Sequence, residues 1–402
     1  MGIVTVVGIG VDGWTSLDAG TQAIVNAADV VVGGERHLAL APPVDGQVRE
    51  PWPSSLRSQL ADFLAKFEGT VVALASGDPL VSGIGSTLIE ILGADRVEII
   101  PSVSSVALAR ARMKWAAESV EVVSLVGRDP HTLLRGLAPG RRLLVLSGDG
   151  STPPLVAKLL VNAGFGASAM TVLFDLGSLD ERRSSGTANA WGAQDSPALN
   201  VIAIACDAGP AMPFGWTAGL PDEAFVHDGQ ITKRDIRASA LARLAPQPGQ
   251  LLWDVGAGAG SVAIEWMRAH PTCRSVAIEA RADRAERCAA NASGLGVPGL
   301  RVVNGHAPEA LSGLEEPHAV FIGGGATEPG VLDACWAALP PGGRLVVHGV
   351  TLETESELSR RYGELGGELT RLHVEHAAPI GSFTGWKPAR AITQWSIIKG
   401  AQ

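Results

Sequence analysis

Short apolar runs, separated by longer stretches of helical periodicity, occupy the whole chain. The runs in the first half are rich in valine, isoleucine and leucine, and each has the length of a buried strand. Alternation of such strands with helices is typical of an α/β fold built on a mainly parallel sheet. The strands predicted in this half are 3–7, 29–32, 71–75, 97–100, 120–125, 142–146, 171–174 and 199–205.

The same alternation starts again in the second half of the chain. Between the halves, residues 207–222 contain three prolines and three glycines, which favours an interdomain linker. A chain of 402 residues also has the length of two domains. We therefore predict domains at residues 1–206 and 223–402. The strands predicted in the second domain are 251–255, 275–279, 301–303, 319–322, 344–348 and an antiparallel pair near 369–376 and 391–398.

A glycine-rich loop, residues 256–260, carries the clearest chemical signal. It reads Gly-Ala-Gly-Ala-Gly and lies between an apolar strand and a predicted helix, and Glu279 ends the next strand. Glycines let a backbone approach a ligand closely. An acid at the end of the second strand suits the two hydroxyls of a ribose. The pattern predicts a cofactor that contains ribose.

The spacing of the glycines indicates which cofactor is bound. A dinucleotide loop reads G-x-G-x-x-G, but Ser261 stands at the last of these positions and the third glycine comes one residue early. G-x-G-x-G is the pattern of class I S-adenosylmethionine methyltransferases. A nicotinamide cofactor and a plain glycine-rich turn are the alternatives. Asp254 either approaches the methionyl amino group or accepts hydrogen bonds from the loop backbone.

Composition narrows the class of partner. The net charge is −9, so we expect no nucleic acid, which would favour a basic face. No apolar run reaches the length of a membrane span, and the chain starts directly in a strand, so we predict a cytoplasmic protein. The four cysteines form no C-x-x-C pair, which argues against a disulfide framework or a metal site. We expect a homo-oligomer.

The second domain resembles the decarboxylating precorrin methyltransferases of cobalamin biosynthesis over about residues 225–400. The motifs that carry the resemblance are residues 228–237 (the lead-in segment, Asp-Gly-Gln-Ile-Thr-Lys-Arg-Asp-Ile-Arg), residues 253–258 and the three glycines 323–325. The resemblance implies a Rossmann-like class I fold and S-adenosyl-L-methionine as the cofactor. His306 precedes Ala307 in the loop expected to face the adenine. The predicted cofactor residues are Thr232, Gly256, Ala257, Gly258, Ala259, Gly260, Glu279, His306 and Ala307.

The first domain resembles the tetrapyrrole methylases, a different and two-lobed methyltransferase fold. Its markers are residues 6–10, 75–80 and 101–105. The first loop of that family usually reads G-x-G-P-G, whereas Val11-Asp12-Gly13 follow Gly10 here, which leaves a scaffold role open for this half. The resemblance implies a second cofactor site. Its predicted residues are Gly8, Gly10, Ser76, Gly77, Asp78, Ser104 and Ser105.

A fusion of the two domains in this order resembles the precorrin-6Y C5,15-methyltransferase (decarboxylating) family. The resemblance implies methylation of precorrin-6Y at C5 by the first half. It implies methylation at C15 and decarboxylation of the C12 acetate by the second half, to give precorrin-8X. The alternatives are a methyltransferase for another corrin intermediate or for RNA, and a protein in which one domain is only a scaffold.

The expected substrate is a corrinoid with many carboxylates, so local cations must bind it despite the acidic net charge. Methyl transfer from a sulfonium needs alignment more than an acid or a metal, and we predict no catalytic triad. The three glycines 323–325 after the fourth strand suggest a bulky acceptor close to the backbone. The candidate substrate residues are Arg110, Arg112, Lys114, Lys233, Arg234, Arg237, Gly323, Gly324 and Gly325.

Overall fold

A computed structural model describes residues 2–192, 196–209 and 214–400. The chain divides into two compact units, one made of residues 1–130 and 137–211 and the other of residues 131–136 and 212–402. Part of the predicted linker, residues 210–213, lies outside the described residues. The domain boundaries derived from the sequence therefore stay predictions.

The first unit begins with a five-stranded parallel sheet of strand order β3-β2-β4-β1-β5. The central strands β1 and β4 are buried almost throughout, because apolar residues pack on both faces of the sheet. The strands are β1 (Val4–Ile9), β2 (Val30–Gly33), β3 (Val48–Pro51), β4 (Val71–Ser76) and β5 (Val97–Ile100). The helices are α1 (Ala19–Ala27), α2 (Glu35–Leu40), α3 (Leu56–Ala65) and α4 (Ile84–Leu92).

The second sheet of this unit is mixed, with strand order β6-β7-β10-β8-β9. Only β6 and β7 pair in parallel, and the other three pairs are antiparallel. The expectation of a mainly parallel sheet is therefore wrong for this half of the unit. The strands are β6 (Val120–Ser124), β7 (Arg142–Leu146), β8 (Ala169–Phe174), β9 (Arg182–Thr187) and β10 (Asn200–Ala205), and the helices are α5 (Ser105–Met113) and α6 (Thr152–Asn162).

The second unit contains a seven-stranded sheet of order β13-β12-β11-β14-β15-β19-β16. The strands from β13 to β15 are parallel, and β19 is antiparallel to both neighbours. The strands are β11 (Leu251–Val255), β12 (Arg274–Glu279), β13 (Arg301–Asn304), β14 (Ala319–Ile322), β15 (Arg344–Gly349), β16 (Glu368–Leu372) and β19 (Ile392–Ile398). The helices are α7 (Arg234–Leu244), α8 (Ser261–Ala269), α9 (Ala282–Gly294), α10 (Val331–Ala338) and α11 (Leu352–Leu365).

This strand order reverses between β11 and β14, because the chain adds strands outward on one side and then returns to the other. Ligands of open α/β sheets bind beside such a reversal, at the carboxyl ends of the strands. Apolar residues pack on both faces of the sheet and hold these strand ends in place.

A hairpin of β17 (Glu375–Ile380) and β18 (Phe383–Pro388) is inserted between β16 and β19. The predicted antiparallel pair near the C-terminus is formed by β16 and β19. The hairpin itself was missed, because its exposed residues lack the alternation of a strand with one face in the core. Three of its apolar residues, Ile380, Phe383 and Trp386, are exposed.

Candidate functional site

A cavity of about 1320 Å³ lies at the carboxyl ends of β11, β12, β14 and β15, at the reversal of strand order. We call it the C-terminal cavity. Its wall includes most of the residues that the sequence marks in the second domain. These are Thr232, Lys233, Arg234, Gly256, Ala257, Gly258, Glu279, His306, Ala307, Gly323, Gly324 and Gly325.

Backbone geometry explains the first two glycines of the glycine-rich loop. Gly256 and Gly258 have φ values of +71° and +56°, a region that favours glycine. A Cβ on Gly256 would lie 2.8 Å from the carbonyl oxygen of Gly324, so the loop packs directly against the backbone that follows β14. The loop thereby presents backbone, rather than side chains, to the cavity.

Ala259 and Gly260 are not part of the cavity wall. The carbonyl of Ala259 accepts a hydrogen bond from Asn291 at 3.0 Å, and a Cβ on Gly260 would lie 2.4 Å from Cys288 Sγ. Both residues therefore contact helix α9, and these contacts do not support the predicted cofactor contact, which stays a prediction. Both residues shape the loop.

Glu279 ends β12 with its carboxylate held in one orientation. Its Oε2 accepts a hydrogen bond from the Gly258 N–H at 2.8 Å, and its Oε1 accepts one from the Arg281 N–H at 3.0 Å. The residue is 5% exposed and lines the cavity. Each carboxylate oxygen can accept a further hydrogen bond, so Glu279 can receive two hydroxyls of a ligand.

Asp254 lies beneath the loop and outside the cavity wall. Its Oδ2 accepts a hydrogen bond from the Ala263 N–H at 3.0 Å, whereas its Oδ1 has no partner among the described residues. Burial raises the pKa of Asp254 to about 7, and the negative charge of Glu279 contributes to the rise. The two interpretations offered for Asp254 were contact with the methionyl amino group and hydrogen bonds from the loop backbone. The observed donor is instead a backbone N–H of helix α8, so Asp254 anchors the helix that follows the loop.

We expect Asp254→Asn to stabilise the second unit by about 2–4 kcal/mol at pH 8, because a buried carboxylate with a raised pKa is costly to ionise. In the wild type this cost grows as pH rises from about 4 to 7, where the unfolded chain is ionised and the folded chain holds its proton. The gain should shrink by more than half at pH 5. Denaturant unfolding monitored by hydrogen exchange of residues 251–270 would measure it. Equal gains at pH 5 and pH 8 would contradict the assignment.

Arg237 of the lead-in segment is not available to a substrate. Its side chain is fully buried, and its guanidinium bonds to Glu265, to Asp222 at 3.2 Å, and to the carbonyls of Leu220 and Thr232. The prediction of a substrate contact is wrong, because α7 begins at Arg234 and turns residue 237 into the core. Arg237 instead holds the backbone carbonyl of Thr232, a residue of the cavity wall.

The cavity-wall residues that were not predicted include His348, His376 and Arg390. His348 is the penultimate residue of β15, and its position near the carboxyl end of the fifth parallel strand could have indicated a site. His376 and Arg390 belong to the inserted hairpin and the turn after it, where no sequence pattern indicated a site.

In the first unit, the predicted cofactor motifs meet at one edge of the parallel sheet. A Cβ on Gly8 would lie 1.8 Å from the carbonyl oxygen of Gly77, and the same carbonyl accepts a hydrogen bond from the Ser102 N–H at 3.0 Å. Asp78 bonds to the Leu80 N–H within its turn, and Ser104 caps α5 through the Ala107 N–H.

The remaining predicted residues of the first unit make few contacts of this kind. The Gly10 carbonyl accepts the Gly13 N–H in a turn, and Ser105 begins α5. Arg112 pairs with Glu181, and this pair would have to break before Arg112 met a substrate. Arg110 is half-buried and Lys114 is exposed.

A cluster that the sequence did not reveal surrounds Ser76 at this edge. The Ser76 Oγ lies 2.7 Å from His37 Nε2 and 2.8 Å from Arg36 Nη2. Burial lowers the pKa of His37 to about 4, and the charge of Arg36 lowers it further. Both residues lie just after β2, at the carboxyl edge where a ligand of a parallel sheet is expected.

Other classes of site find little support in the described parts of the chain. Within them, no group of three or more histidine, cysteine or acidic side chains could hold a metal ion. The four cysteines are free and buried. Among the described helices, none combines the length and the hydropathy needed to cross a bilayer.

Comparison with known families gives a separate match for each half of the chain. A model of the tetrapyrrole (corrin/porphyrin) methylases matches residues 4–190. A model of the precorrin methyltransferase domain matches residues 223–399. The two predicted fold families are thus confirmed, each in its own half.

Curated relatives extend the similarity to the whole chain. Precorrin-6Y C(5,15)-methyltransferase (decarboxylating) of a Sinorhizobium species is 45% identical over 98% of this chain and 96% of its own length. Two shorter relatives match less of it. Cobalt-precorrin-7 C(5)-methyltransferase of Salmonella typhimurium is 31% identical over 45% of this chain and 88% of its own. "Probable cobalt-precorrin-6B C(15)-methyltransferase (decarboxylating)" of Saccharolobus solfataricus is 33% identical over 34% of this chain and 71% of its own. The chain is therefore an enzyme and belongs to the precorrin-6Y C(5,15)-methyltransferase (decarboxylating) family.

Proposed function

We propose that the enzyme uses S-adenosyl-L-methionine to methylate precorrin-6Y at C5 and C15 and removes the C12 acetate carboxylate, giving precorrin-8X. The observation that carries the proposal is the C-terminal cavity, whose wall combines the glycine-rich loop, Glu279 and the three glycines after β14. Similarity over nearly the whole length to a C(5,15)-methyltransferase supports the substrate and both positions.

The residues of the cavity fit this cofactor. Gly256 and Gly258 place backbone without a side chain in the cavity wall, and Glu279 offers two fixed carboxylate oxygens to ribose hydroxyls. Thr232, His306 and Ala307 lie in the same wall. When bound, the cofactor supplies an activated methyl group on a sulfonium.

The protein's task is then to bind and orient the acceptor rather than to activate it chemically. The acceptor carbon of an enamine-like macrocycle is already nucleophilic. Lys233, Arg234 and Arg390 line the cavity and are exposed, which suits them to the substrate's carboxylates. The open backbone at Gly324 leaves room for a flat ring system.

We assign C5 methylation to the first unit, and C15 methylation with decarboxylation to the second. The two shorter relatives support this division, since one is named for C(5) alone and the other for C(15) with decarboxylation. The markers at Gly8, Gly77 and Ser104, and the Arg36–His37–Ser76 cluster, then belong to the C5 site.

Incubation of the full-length enzyme with precorrin-6Y and methyl-labelled S-adenosylmethionine tests the proposal. We expect a product with two labelled methyl groups and one carboxyl group fewer, and one carbon dioxide released per product. Mass spectrometry and carbon dioxide trapping measure both. A product with one methyl group, or with every carboxyl group retained, would show that the proposed function is wrong.

We expect Glu279→Ala to weaken one of two cofactor sites by at least about tenfold, because charge-assisted hydrogen bonds contribute roughly 1.5–3 kcal/mol each. Calorimetry with S-adenosylhomocysteine should give two sites per wild-type chain. In the variant, one site should weaken and the other should keep its affinity. Glu279→Gln, which keeps an acceptor without the charge, is the matched control and should fall between the two. Two unchanged sites would refute the role of Glu279.

We also propose a cytoplasmic homo-oligomer with no nucleic-acid partner. The exposed Ile380, Phe383 and Trp386 of the hairpin support self-association, and the net charge of −9 supports the absence of nucleic acid. Light scattering of the purified enzyme measures its oligomeric state. A monomer at micromolar concentration would contradict self-association.

A further inference from the structure

His348 occupies a buried position in the wall of the C-terminal cavity. The residue is 7% exposed and lies one residue before the end of β15, next to the strand that leads into the three glycines. Its ring meets Phe321 edge to face, with 4.9 Å between ring centroids and 89° between planes. The ring is therefore held in one orientation.

In the hydrogen-bond network around His348, the donor and the acceptor of each bond can be assigned. Its Nε2 lies 2.9 Å from the side-chain amide of Gln394, which is fully buried. Arg243 Nε lies 3.0 Å from the same amide, and Arg243 is itself paired with Glu368 at 2.7 Å. Because a guanidinium only donates, the amide oxygen must face Arg243 and the amide nitrogen must face His348. Nε2 of His348 is therefore an acceptor.

A neutral imidazole that accepts at Nε2 carries its hydrogen on Nδ1. Burial lowers the pKa of His348 to about 4, and the positive charge of Arg243 contributes, so the ring is neutral at pH 7. Among the described residues, no acceptor bonds to Nδ1. His348 therefore brings to the cavity wall a neutral ring whose Nδ1–H has no protein acceptor among the described residues.

The absence of charge suits one particular group of the substrate. Carboxylates that persist through the reaction can be bound by exposed cations such as Lys233, Arg234 and Arg390. A carboxylate that leaves must give up an electron pair, and a cation bound to it would stabilise the ground state and raise the barrier. A neutral donor in the buried part of the wall orients that carboxylate with a smaller penalty of this kind.

We propose that His348 Nδ1–H donates a hydrogen bond to the acetate carboxylate that is lost as carbon dioxide, and that Gln394 and Arg243 are positioning residues that keep the hydrogen on Nδ1. The inference rests on the proposed function of the cavity. In this step the bond between the methylene and carboxylate carbons breaks, and its electron pair moves into the conjugated macrocycle. Carbon dioxide leaves, and a proton from water is added at the methylene carbon. His348 keeps its own proton throughout.

Two substitutions of His348 test the donor. His348→Phe removes Nδ1 and keeps a ring against Phe321, and we expect carbon dioxide release to fall at least tenfold. His348→Asn keeps an N–H close to the position of Nδ1 and should recover part of the loss. C5 methylation and the affinity for S-adenosylhomocysteine should stay at wild-type values in both. Release at the wild-type rate in His348→Phe, or no recovery in His348→Asn, would overturn the proposal.

The tautomer is a second and independent readout. Nitrogen NMR of the full-length wild type, labelled at histidine and assigned with His348→Phe, should show the hydrogen on Nδ1. Gln394→Leu should mix the two tautomers and slow carbon dioxide release. A wild-type hydrogen on Nε2 would overturn the proposal. A wild type that releases no carbon dioxide would instead refute the proposed function.

Discussion

Replacement of Gly324 by leucine should abolish C15 methylation and carbon dioxide release, to below about 1% of wild type, while C5 methylation continues. Gly324 lines the C-terminal cavity, and an added Cβ would meet no atom within 4 Å. The side chain would therefore occupy the space of the acceptor without straining the backbone, and misplaced reactants lose most of the advantage of binding. Product mass and trapped carbon dioxide measure the effect.

Gly363→Leu is the matched control for this substitution. Gly363 lies on helix α11, is exposed, and also has no atom within 4 Å of an added Cβ. It should leave both methylations and decarboxylation unchanged. If Gly324→Leu stopped C15 methylation but not carbon dioxide release, decarboxylation would belong outside this cavity and the division of labour would be wrong.

Arg237→Ala should destabilise the second unit by about 3–5 kcal/mol, the usual effect of removing one partner of a buried ion pair. The substitution removes the counterion of Glu265, whose side chain is 3% exposed and which keeps only the backbone N–H groups of Gly219 and Leu220. It also leaves two carbonyls without the hydrogen bonds that Arg237 now donates. Denaturant unfolding of the full-length enzyme, followed by hydrogen exchange of helices α7 and α8, measures the loss.

Arg234→Ala provides the comparison, since Arg234 begins the same helix but is exposed and lines the cavity. We expect its stability to change by less than about 0.5 kcal/mol, as for most surface substitutions, and its KM for the corrinoid to rise. A stable Arg237→Ala with a raised KM would return Arg237 to the set of substrate ligands.

Much of the fold could be predicted because buried parallel strands produce a simple hydrophobic pattern in the sequence. Strands buried on both faces read as continuous apolar runs, as in β1, β4, β11 and β14. The glycine-rich loop and Glu279 were located for the same reason: strand ends fix where the chain turns. The polar edge strand β9 and the exposed hairpin carry no such pattern, and they were missed.

The site was harder to predict, because spacing does not reveal which face of an element a residue occupies. Arg234 and Arg237 are one helical turn apart, yet the first lines the cavity and the second is buried. His348 was passed over as an ordinary strand residue. Its importance depends on Gln394 and Arg243, which are far away in the sequence and meet it only in the folded sheet.

The close approach of Gly8 to the Gly77 carbonyl limits the use of the glycines at positions 8 and 10 as evidence that the domain transfers methyl groups. A side chain at position 8 would collide with backbone, at 1.8 Å, so even alanine would be rejected by folding alone. At Gly10 a Cβ would meet only movable side chains, those of Asp12 at 2.9 Å and Ser16 at 3.4 Å. In a saturation library selected for folding, Gly8 would stay invariant and Gly10 would vary. A homologue that had lost methyl transfer would therefore still display the first glycine, and the second is the better marker of an active domain.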